Sequence, residues 1–491
     1  MKVNRKKELN KKYVKEDLQS NQDVVYREFK NKSNSFLIIY IQDLVDLNLL
    51  SKSIIKPLMQ NKKNATVKNI IDNVLYIGSV QQLEDIHECS SAILEGNAVL
   101  FIDGENKAIK LNIIGIEKRS ITEPPTNAVI YGPREGFVES LNVNTSLIRK
   151  RLQTPQLKIE EFKVGSYTKT KVRMFYIDDI ADKYNVKKIK ERISKIEIDG
   201  ILDSHYLVSF LEEKKNSIFK QIGKAEKPDI VTAKMLEGRI AIMVDGSPIA
   251  LTLPFLLLED IQNSDDYYQK SFKISFVRLV RVIGIVFSII LPSLYVAIQT
   301  QHYRIIPVKF LTTLMDSIQG LPFTPFMEML FVILLFEILY ESSLRMPKYL
   351  GVALGVVGAL ILGDTAVKAG LISPPAVMLV AMSGISFYTI PDENSQLSFL
   401  RFMFTIAGGI FGLMGITIFL MFVISYLNDI NSYGSPYLAP YAPRIKQDLY
   451  DGLIKKEALA LNVRPKSIPS QKKVRVNQRP IVEDKHERTN Y

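Results

Sequence analysis

The sequence has little of the chemistry on which enzymes and disulfide-bonded proteins depend. It contains one cysteine, Cys89, so an intrachain disulfide is impossible and a reducing compartment is compatible with the chain. Its four histidines lie far apart, without the spacing of a metal site. It also lacks a phosphate-binding loop, a dinucleotide fingerprint and a nucleophile elbow. We therefore expect no enzymatic activity, no metal and no cofactor.

The first 32 residues lack the apolar stretch of a secretory signal, because they are polar and rich in lysine. We therefore expect the soluble region to stay on the cytoplasmic side of its membrane. The formal net charge is +12, but no nucleic-acid-binding motif accompanies it. Basic flanks around membrane spans explain this charge better than nucleic-acid binding does.

Apolar residues are distributed unevenly along the chain. Charged residues occur throughout residues 1–270, whereas from Val282 to Tyr426 they are sparse and the apolar runs are long. This pattern predicts an α/β or α+β soluble N-terminal region in two lobes, followed by an all-α transmembrane domain with several spans. The predicted divisions are a basic flexible arm (1–32), soluble lobe 1 (33–155), soluble lobe 2 (156–270), a transmembrane domain (271–430) and a basic cytoplasmic tail (431–491).

An internal repeat lies within the soluble region. Two apolar strands, Phe36–Ile41 and Val172–Ile177, end in similar acidic segments, and each is followed at nearly equal distance by Leu-Glu-Gly, an apolar strand and Asp-Gly. Two landmarks repeated in the same order indicate two related lobes. The Asp-Gly pairs predict the turns of two hairpins. The hairpins are Val99–Ile102 with Ala108–Ile113, and Ile240–Val244 with Ile249–Leu253. An amphipathic helix is predicted over Lys187–Ile198.

Five apolar runs follow the lobes: Val282–Ile298, Pro322–Tyr340, Leu350–Leu362, Pro374–Ile390 and Phe399–Leu427. Basic residues flank the start of the first run and the ends of the second and fifth, which places these positions inside. Asp392 and Glu393 precede the fifth run and are then expected outside. Two runs lie between the inside end of the second run and Asp392, which is expected outside, and this stretch must cross the membrane an odd number of times. We therefore predict about four spans, with residues 363–390 re-entrant, broken or at the interface.

The second apolar run contains several carboxylates. Glu337, Glu341 and Arg345 recur every four residues and so share one helical face. A carboxylate near mid-membrane costs about 2.5–3.5 kcal/mol, so Glu337 either has a partner in the protein or lines a water-filled, cation-favouring pathway. Glu341 is expected to pair with Arg345. The candidate ion-pathway residues are Glu337, Glu341 and Glu328.

Glycines recur at helical spacing in two of the runs, which favours close packing of helices within a bundle or an oligomer. They are Gly351, Gly355 and Gly358 in one run, and Gly408, Gly412 and Gly415 in another. Asp364 and Lys368 lie four residues apart in the broken stretch. They form a pair if the stretch is buried, and are surface groups if it is wet.

Several motifs together resemble those of one family. Gly132-Pro133-Arg134-Glu135-Gly136-Phe137-Val138-Glu139-Ser140 precedes the basic stretch Leu147-Ile148-Arg149-Lys150-Arg151-Leu152. Further motifs are Leu236-Glu237-Gly238-Arg239, Asp265-Asp266-Tyr267-Tyr268 and Arg464-Pro465-Lys466-Ser467. In these motifs the chain resembles the GerA family, the A subunits of bacterial spore germination receptors, over residues 25–470.

The resemblance implies a subunit of the spore inner membrane whose two termini lie on the core side. Its implied partners are membrane lipid, a membrane-embedded B subunit that senses most germinants, and a lipoprotein C subunit. It further implies that A subunits form a homo-oligomeric ring around a cation pathway. The candidate residues for the subunit interface are Arg134, Glu135, Glu139, Arg149 and Arg151.

Three other functions are alternatives at this stage. The chain could be a non-conducting scaffold of a receptor cluster, or an accessory channel-like spore membrane protein of the same family. A secondary transporter is less favoured, because transporters show repeated halves within the membrane, whereas the repeat here lies in the soluble region.

Overall fold

The structure is a computed structural model. It describes the whole chain except residues 32–33, 62–65, 116–130, 346–357, 359–360, 391–393, 458–459 and 476–491. The described part contains two lobes, each built on a β-sheet, followed by a bundle of helices. This architecture confirms the predicted fold class.

Each lobe contains a five-stranded antiparallel sheet, and the two sheets have equivalent strand orders. In lobe 1 the order is β1-β2-β4-β5-β3, and in lobe 2 it is β6-β7-β9-β10-β8. The equal orders confirm that the repeated sequence landmarks belong to two related lobes. The strands are β1 (Val24–Lys30), β2 (Ser35–Ile41), β3 (Val80–Leu83), β4 (Ala98–Ile102), β5 (Ala108–Leu111), β6 (Leu157–Val164), β7 (Thr170–Ile177), β8 (Gly223–Ala225), β9 (Ile240–Val244) and β10 (Ala250–Leu253).

The two predicted hairpins are confirmed as β4–β5 and β9–β10. Gly104 and Gly246 follow β4 and β9 with φ of 94° and 92°, a conformation that glycine adopts without steric cost. Every residue of β4 and β9 is buried, because helices and loops cover both faces of each sheet.

Seven helices pack on these sheets. They are α1 (Lys7–Asp17), α2 (Val67–Asn73), α3 (Ile86–Leu94), α4 (Leu141–Arg151), α5 (Lys183–Ser194), α6 (His205–Leu211) and α7 (Pro228–Glu237). Helix α5 is the predicted amphipathic helix, and it begins four residues earlier because the Asp182 side chain accepts a hydrogen bond from the backbone N–H of Asn185. Short helical segments fill residues 47–60.

The N-terminal residues expected to form a flexible arm are folded instead. Helix α1 buries Val14, and Leu18 just beyond it is also fully buried. Lys7 and Lys11 both bond Glu28 of β1, at 2.8 Å and 2.6 Å. The segment looks polar in sequence because its charged residues outnumber its apolar residues. A few apolar side chains on one face are nevertheless enough to pack it against lobe 1.

The described part of the C-terminal tail is also ordered, against lobe 2. Tyr433 is buried and its hydroxyl donates a 2.6 Å hydrogen bond to the carbonyl of Leu211. The backbone N–H of Gln471 donates to the carbonyl of Ile180 at 2.9 Å. The described residues of 431–475 therefore extend lobe 2 through aromatic and backbone contacts, which the basic composition of the tail does not predict.

The helical bundle consists of α8 (Ser271–Gln301), α9 (Val308–Ile318), α10 (Pro325–Arg345), α11 (Pro374–Phe387) and α12 (Asn394–Asn428). By length and composition, α8 and the 35-residue segment α12 are candidate membrane spans, each with a mean hydropathy of 2.3 in its most apolar window, although a reversal divides α12 into two shorter arms. Such helices indicate membrane association when they lie together at one end of a chain.

Helix α12 is a hairpin rather than one continuous rod. At Gly412 the backbone has φ 61° and ψ −145°, which is not helical. The ring centroids of Phe404 and Phe419 lie 4.7 Å apart, although fifteen residues of straight helix would separate them by about 22 Å. Residues 394–411 and 413–428 therefore form two arms that fold back on each other. The apolar pattern of this run predicted a single crossing, which is wrong, because hydropathy does not reveal a reversal at one glycine.

The reversal changes the expected position of the acidic loop before α12. Ile390 lines a cavity together with Arg281 and Tyr267, at the end of the bundle next to the lobes. A Cβ placed on Gly284, three residues after Arg281 in α8, would lie 2.9 Å from Thr389 Oγ1. Asp392 and Glu393 lie outside the described residues, but the chain leading to them is at the lobe end rather than the far end. The predicted count of about four spans assumed that this loop lies outside, and the structure does not support that assumption.

Candidate functional site

The three candidate carboxylates lie on α10 at different depths and on two faces. Glu328 and Glu337 are nine residues apart, which places them about 14 Å apart along the helix axis and on opposite faces. Glu328 is fully buried, whereas Glu337 has 39% of its side chain exposed. The structure thus separates Glu328 from the face that contains Glu337 and Glu341.

Glu337 forms an ion pair with Arg401, which lies in the first arm of α12. Arg401 Nη2 is 3.0 Å from Glu337 Oε2, and only 2% of the arginine side chain is exposed. The Ser398 hydroxyl donates to the same carboxylate oxygen at 2.5 Å. Arg401 also lies over the ring of Phe387, 4.5 Å from its centroid, and contacts the hydroxyl of Ser383 at 3.3 Å. The guanidinium is therefore fixed on several sides, while its carboxylate partner is half-exposed.

This ion pair lines a cavity of about 570 Å³ between α10, α11 and the first arm of α12. Most of the lining is apolar. Its polar groups are concentrated around the ion pair: Glu337, Arg401, Asn394, Ser398, Tyr340 and Ser343. A cavity with one polar wall can hold water or a small polar solute beside the carboxylate.

Two surface ion pairs agree with the sequence spacing. Arg345 Nη2 lies 2.5 Å from Glu341 Oε1, and both side chains are more than half exposed. Lys368 lies 2.7 Å from Asp364, and this pair is exposed too. Exposed pairs of this kind contribute little to stability, about 0.3–0.5 kcal/mol each.

The described candidate glycines serve packing within the chain. A Cβ on Gly408 would lie 2.8 Å from the carbonyl oxygen of Ser293 in α8. A Cβ on Gly415 would collide with the backbone of Ala407 in the other arm of the hairpin, and one on Gly358 would lie 3.2 Å from Leu339 of α10. Gly351 and Gly355 lie outside the described residues. Gly408, Gly412 and Gly415 thus let the α12 hairpin form and seat it against α8.

Of the predicted interface residues, three are engaged within the chain. Arg149 is fully buried and its Nη2 lies 2.6 Å from Asp23 Oδ2. Arg151 Nη2 lies 2.5 Å from Glu135 Oε2. Helix α4, which contains Arg149, packs on the sheet of lobe 2, although the predicted boundary assigned it to lobe 1. Asp23 immediately precedes β1, so the Arg149 pair joins lobe 2 to lobe 1. Arg134 and Glu139 are exposed, so a role between subunits remains a prediction for these two.

The sequence analysis missed a buried charge network where the lobes meet the bundle, which we call the junction network. Asp266, in the turn before α8, accepts hydrogen bonds from Arg278 Nε at 2.8 Å and Arg281 Nη1 at 2.9 Å. Arg278 also bonds Asp451 Oδ1 at 3.0 Å, and Lys455 donates to the backbone carbonyl of Asp266 at 2.6 Å. Asp266 and Arg278 are both fully buried. The Asp-Asp-Tyr-Tyr motif was visible in the sequence, but nothing there connected it to Asp451 far along the chain.

A second network lies beside it, at the same end of lobe 2. Arg239 Nη2 lies 2.9 Å from Glu259 Oε1, and Lys234 lies 2.7 Å from Glu259 Oε2. Burial pushes the pKa of Glu259 upward, but Arg239 and Lys234 outweigh it and hold that pKa below its usual value. The carboxylate is therefore ionised at neutral pH and links α7 to the loop before α8.

In the part of the chain that the structure describes, no group of three or more His, Cys, Asp or Glu side chains is arranged to hold a metal ion. The site thus consists of ion pairs, a cavity with one polar wall, and a charged junction.

Comparison with known proteins gives consistent matches along the chain. The sequence model of a family described as Bacillus/Clostridium GerA spore germination protein matches residues 12–467. Spore germination protein KA of Bacillus subtilis (strain 168) is 35% identical over 477 residues, which cover 95% of this chain and 88% of that protein. Spore germination protein GerQA of Bacillus cereus is 33% identical over 471 residues, covering 95% and 94%.

Two further proteins are similar. The uncharacterized membrane protein YfkQ of Bacillus subtilis (strain 168) is 36% identical over 448 residues, covering 90% of this chain and 87% of YfkQ. Among solved structures, the N-terminal domain of the A subunit of the Bacillus megaterium spore germinant receptor GerK3 is 30% identical. That match covers 51% of this chain and 96% of the domain, with a TM-score of 0.40.

Proposed function

Because the chain belongs to the GerA family of spore germination proteins, we propose that it acts as the A subunit of a nutrient-responsive germination receptor. In this proposal it forms a gated cation pathway in the spore inner membrane together with other copies of itself. Its partners are a membrane-embedded B subunit, which binds most germinants, and a lipoprotein C subunit.

The observation that supports a cation pathway is the half-exposed carboxylate of Glu337 within an apolar bundle. Facing acyl chains, such a group would cost about 2.5–3.5 kcal/mol. Water or a neighbouring subunit removes most of that cost. In a ring of identical subunits Glu337 would recur at symmetric positions around an axis, and a ring of carboxylates favours cations.

Arg401 supplies a means of gating. While it bonds Glu337 at 3.0 Å, it neutralises the carboxylate and disfavours cation entry. The arginine is fixed by Phe387 and Ser383, whereas Glu337 belongs to α10. A small movement of α10 relative to α11 and α12 would separate the charges and leave a free carboxylate in the pathway. This gives the bundle two states with different cation affinity.

The junction network connects these helices to the lobes. Arg278 in α8 bonds both the turn before α8 and the C-terminal tail, so a movement of lobe 2 shifts the start of α8. Helix α8 packs against α11 and α12 along its length. We therefore expect partner-induced movement of the lobes to reach the Glu337–Arg401 pair through α8.

The test is cation release from spores that carry the complete receptor with Glu337→Gln or Glu341→Gln in the A subunit. Glutamine retains the shape and hydrogen bonding of Glu337 but not its charge. We expect a marked loss of early potassium release for Glu337→Gln. Glu341, a pathway candidate by sequence, is held by Arg345 and does not line the cavity among the described residues. We therefore propose that it lies outside the pathway and expect normal release for Glu341→Gln, the matched control four residues away.

Two results would contradict the proposal in different ways. Unchanged release in Glu337→Gln would remove this carboxylate from the pathway. If the wild-type receptor assembled with all its partners but passed no cations in liposomes, the chain would instead be a non-conducting scaffold.

A further inference from the structure

A second polar cluster lies in the bundle, away from the Glu337 cavity. It joins Tyr295 and Gln299 of α8, Glu328 of α10, and Ser373 at the start of α11. Tyr295 and Gln299 are four residues apart and so share one face of α8. Tyr295 lies beside Ser373, Gln299 and the charge of Glu328. The surrounding side chains are apolar, including Val296, Met329 and Ile372. We call this group the Glu328 cluster.

One oxygen of Glu328 is accounted for. The backbone N–H of Ser373 donates to Glu328 Oε1. Ser373 is the N-cap of α11, so the carboxylate lies at the positive end of that helix dipole. A donated hydrogen bond and a helix N-terminus both favour the ionised form of a carboxylate. Glu328 therefore has two interactions in the bundle interior that suit a carboxylate.

The other polar atoms of the cluster are poorly satisfied. Glu328 Oε2, both polar atoms of the Gln299 amide, and the hydroxyl of Tyr295 are all inaccessible to solvent. None of them makes a well-formed hydrogen bond among the described residues, although the Tyr295 hydroxyl lies close enough to Ser373 and Gln299 for weak contacts with both. Within the same ranges, no lysine, arginine or histidine forms an ion pair with Glu328, which is itself 0% exposed. Buried polar atoms without partners are rare and unfavourable, so several of them around one point indicate an occupant.

The polar groups of the cluster determine which ion or molecule can bind there. The cluster provides a carboxylate oxygen, an amide oxygen and a phenolic oxygen, which are hard donors of the kind that alkali and alkaline-earth cations prefer. It contains a single carboxyl group, so a monovalent ion can balance its carboxylate form, whereas a divalent ion would leave a surplus positive charge in an apolar interior. A water molecule could bridge the orphan groups but would leave the buried charge unbalanced.

We propose that the Glu328 cluster is a binding site for a monovalent alkali cation, held by Glu328 Oε2, the Gln299 side-chain oxygen and the Tyr295 hydroxyl. The bound ion ties α8, α10 and α11 together. Binding does not depend on the proposed function, and only a role of this site in conduction rests on it.

The test is thermal unfolding of the purified full-length chain in lipid nanodiscs. The melting temperature is followed as KCl or NaCl replaces choline chloride at constant ionic strength. For the wild type we expect a saturable rise with one or both alkali cations. Glu328→Gln should abolish this rise, and in choline alone it should unfold at or above the wild-type temperature, because it removes the unbalanced charge. Glu341→Gln, on the exposed face of the same helix, should retain the full response.

Gln299→Met and Tyr295→Phe each remove one oxygen and keep the apolar bulk. Each should weaken the apparent cation affinity by about tenfold, which corresponds to about 1.4 kcal/mol. These variants decide the question even if Glu328→Gln does not fold.

A wild type that responds to pH but not to alkali cations would show that a proton occupies the site and would overturn the proposal. The proposal is also overturned if KCl and NaCl raise the melting temperatures of Glu328→Gln and the wild type equally. The two proposals can fail separately. If only the pathway proposal is wrong, Glu337→Gln leaves cation release unchanged, while the wild-type melting temperature still rises with alkali cations.

Discussion

Replacing Arg278 by methionine tests whether the junction network holds the lobes to the bundle. Arg278 and Asp266 are fully buried and bonded at 2.8 Å. Removing one partner of a buried ion pair costs about 3–5 kcal/mol, because it leaves the other charge uncompensated. Arg281 still donates to Asp266 at 2.9 Å, so we expect a value near the lower end, about 3 kcal/mol. Methionine fills much of the volume of the arginine stem and keeps the packing loss small.

The assay is denaturant unfolding of the full-length chain in detergent micelles, followed by circular dichroism. Arg281→Met is the matched control, since its side chain is 16% exposed and its loss leaves the Arg278–Asp266 pair intact. We expect it to cost about 1.5 kcal/mol, the lower value for a hydrogen bond to a charged group, because Arg278 still balances Asp266. A loss of less than 1 kcal/mol for Arg278→Met, or equal losses for the two variants, would refute the argument that burial of this pair connects the lobes to α8.

Three further predictions each concern a single residue and its surroundings. Gly412→Ala should lower the free energy of unfolding by about 1–3 kcal/mol, because Gly412 has φ 61° and the added Cβ would lie 2.5 Å from Gln301 Oε1. The control is Gly363→Ala, whose added Cβ meets no atom within 4 Å among the described residues. Burial raises the pKa of Cys89 to about 12, so maleimide at pH 8 should label this single cysteine only after denaturation, and rapid labelling of the native chain would show that lobe 1 is open. Arg149→Met should destabilise the chain by about 3 kcal/mol through its lost pair with Asp23. The exposed Arg134→Met should cost no more than an exposed ion pair contributes, about 1 kcal/mol, but should reduce assembly if Arg134 lies at a subunit interface.

Much of the lobe architecture could be predicted because local chemistry determines it. The Asp-Gly pairs at residues 103–104 and 245–246 require positive φ, and each is followed by an apolar strand, so both hairpins were correctly placed. The repeated order of these landmarks predicted two related lobes, and the equal strand orders confirm it. These features depend on neighbours in sequence, which a single chain shows directly.

The parts that sequence analysis missed depend on contacts between distant residues. The α12 hairpin results from one backbone reversal at Gly412, and an uninterrupted apolar run gives no sign of it. The N-terminal arm and the tail look polar, yet Val14 and Tyr433 attach them to lobes 1 and 2. Hydropathy averages over such single side chains.

The candidate site, too, could be predicted only in part from the sequence. Sequence spacing identified Glu337 as unusual and paired Glu341 with Arg345, but it could not supply Arg401, which is 64 residues from Glu337 in the chain. It also placed Glu328 with the other carboxylates, although nine residues of helix turn it to the opposite face. The junction network joins Asp266 to Asp451 through Arg278, a connection that only the folded chain reveals.

The central claim is that Glu337 lies in a cation pathway formed by assembled copies of this chain. It is tested most directly by the reversal potential across a planar bilayer that contains the purified receptor, with germinant present and a potassium chloride gradient imposed. The account predicts a cation-selective potential for the wild type and a shift toward zero for Glu337→Gln, with no shift for Glu341→Gln. A wild-type conductance without cation selectivity, or the same selectivity in Glu337→Gln, would contradict it.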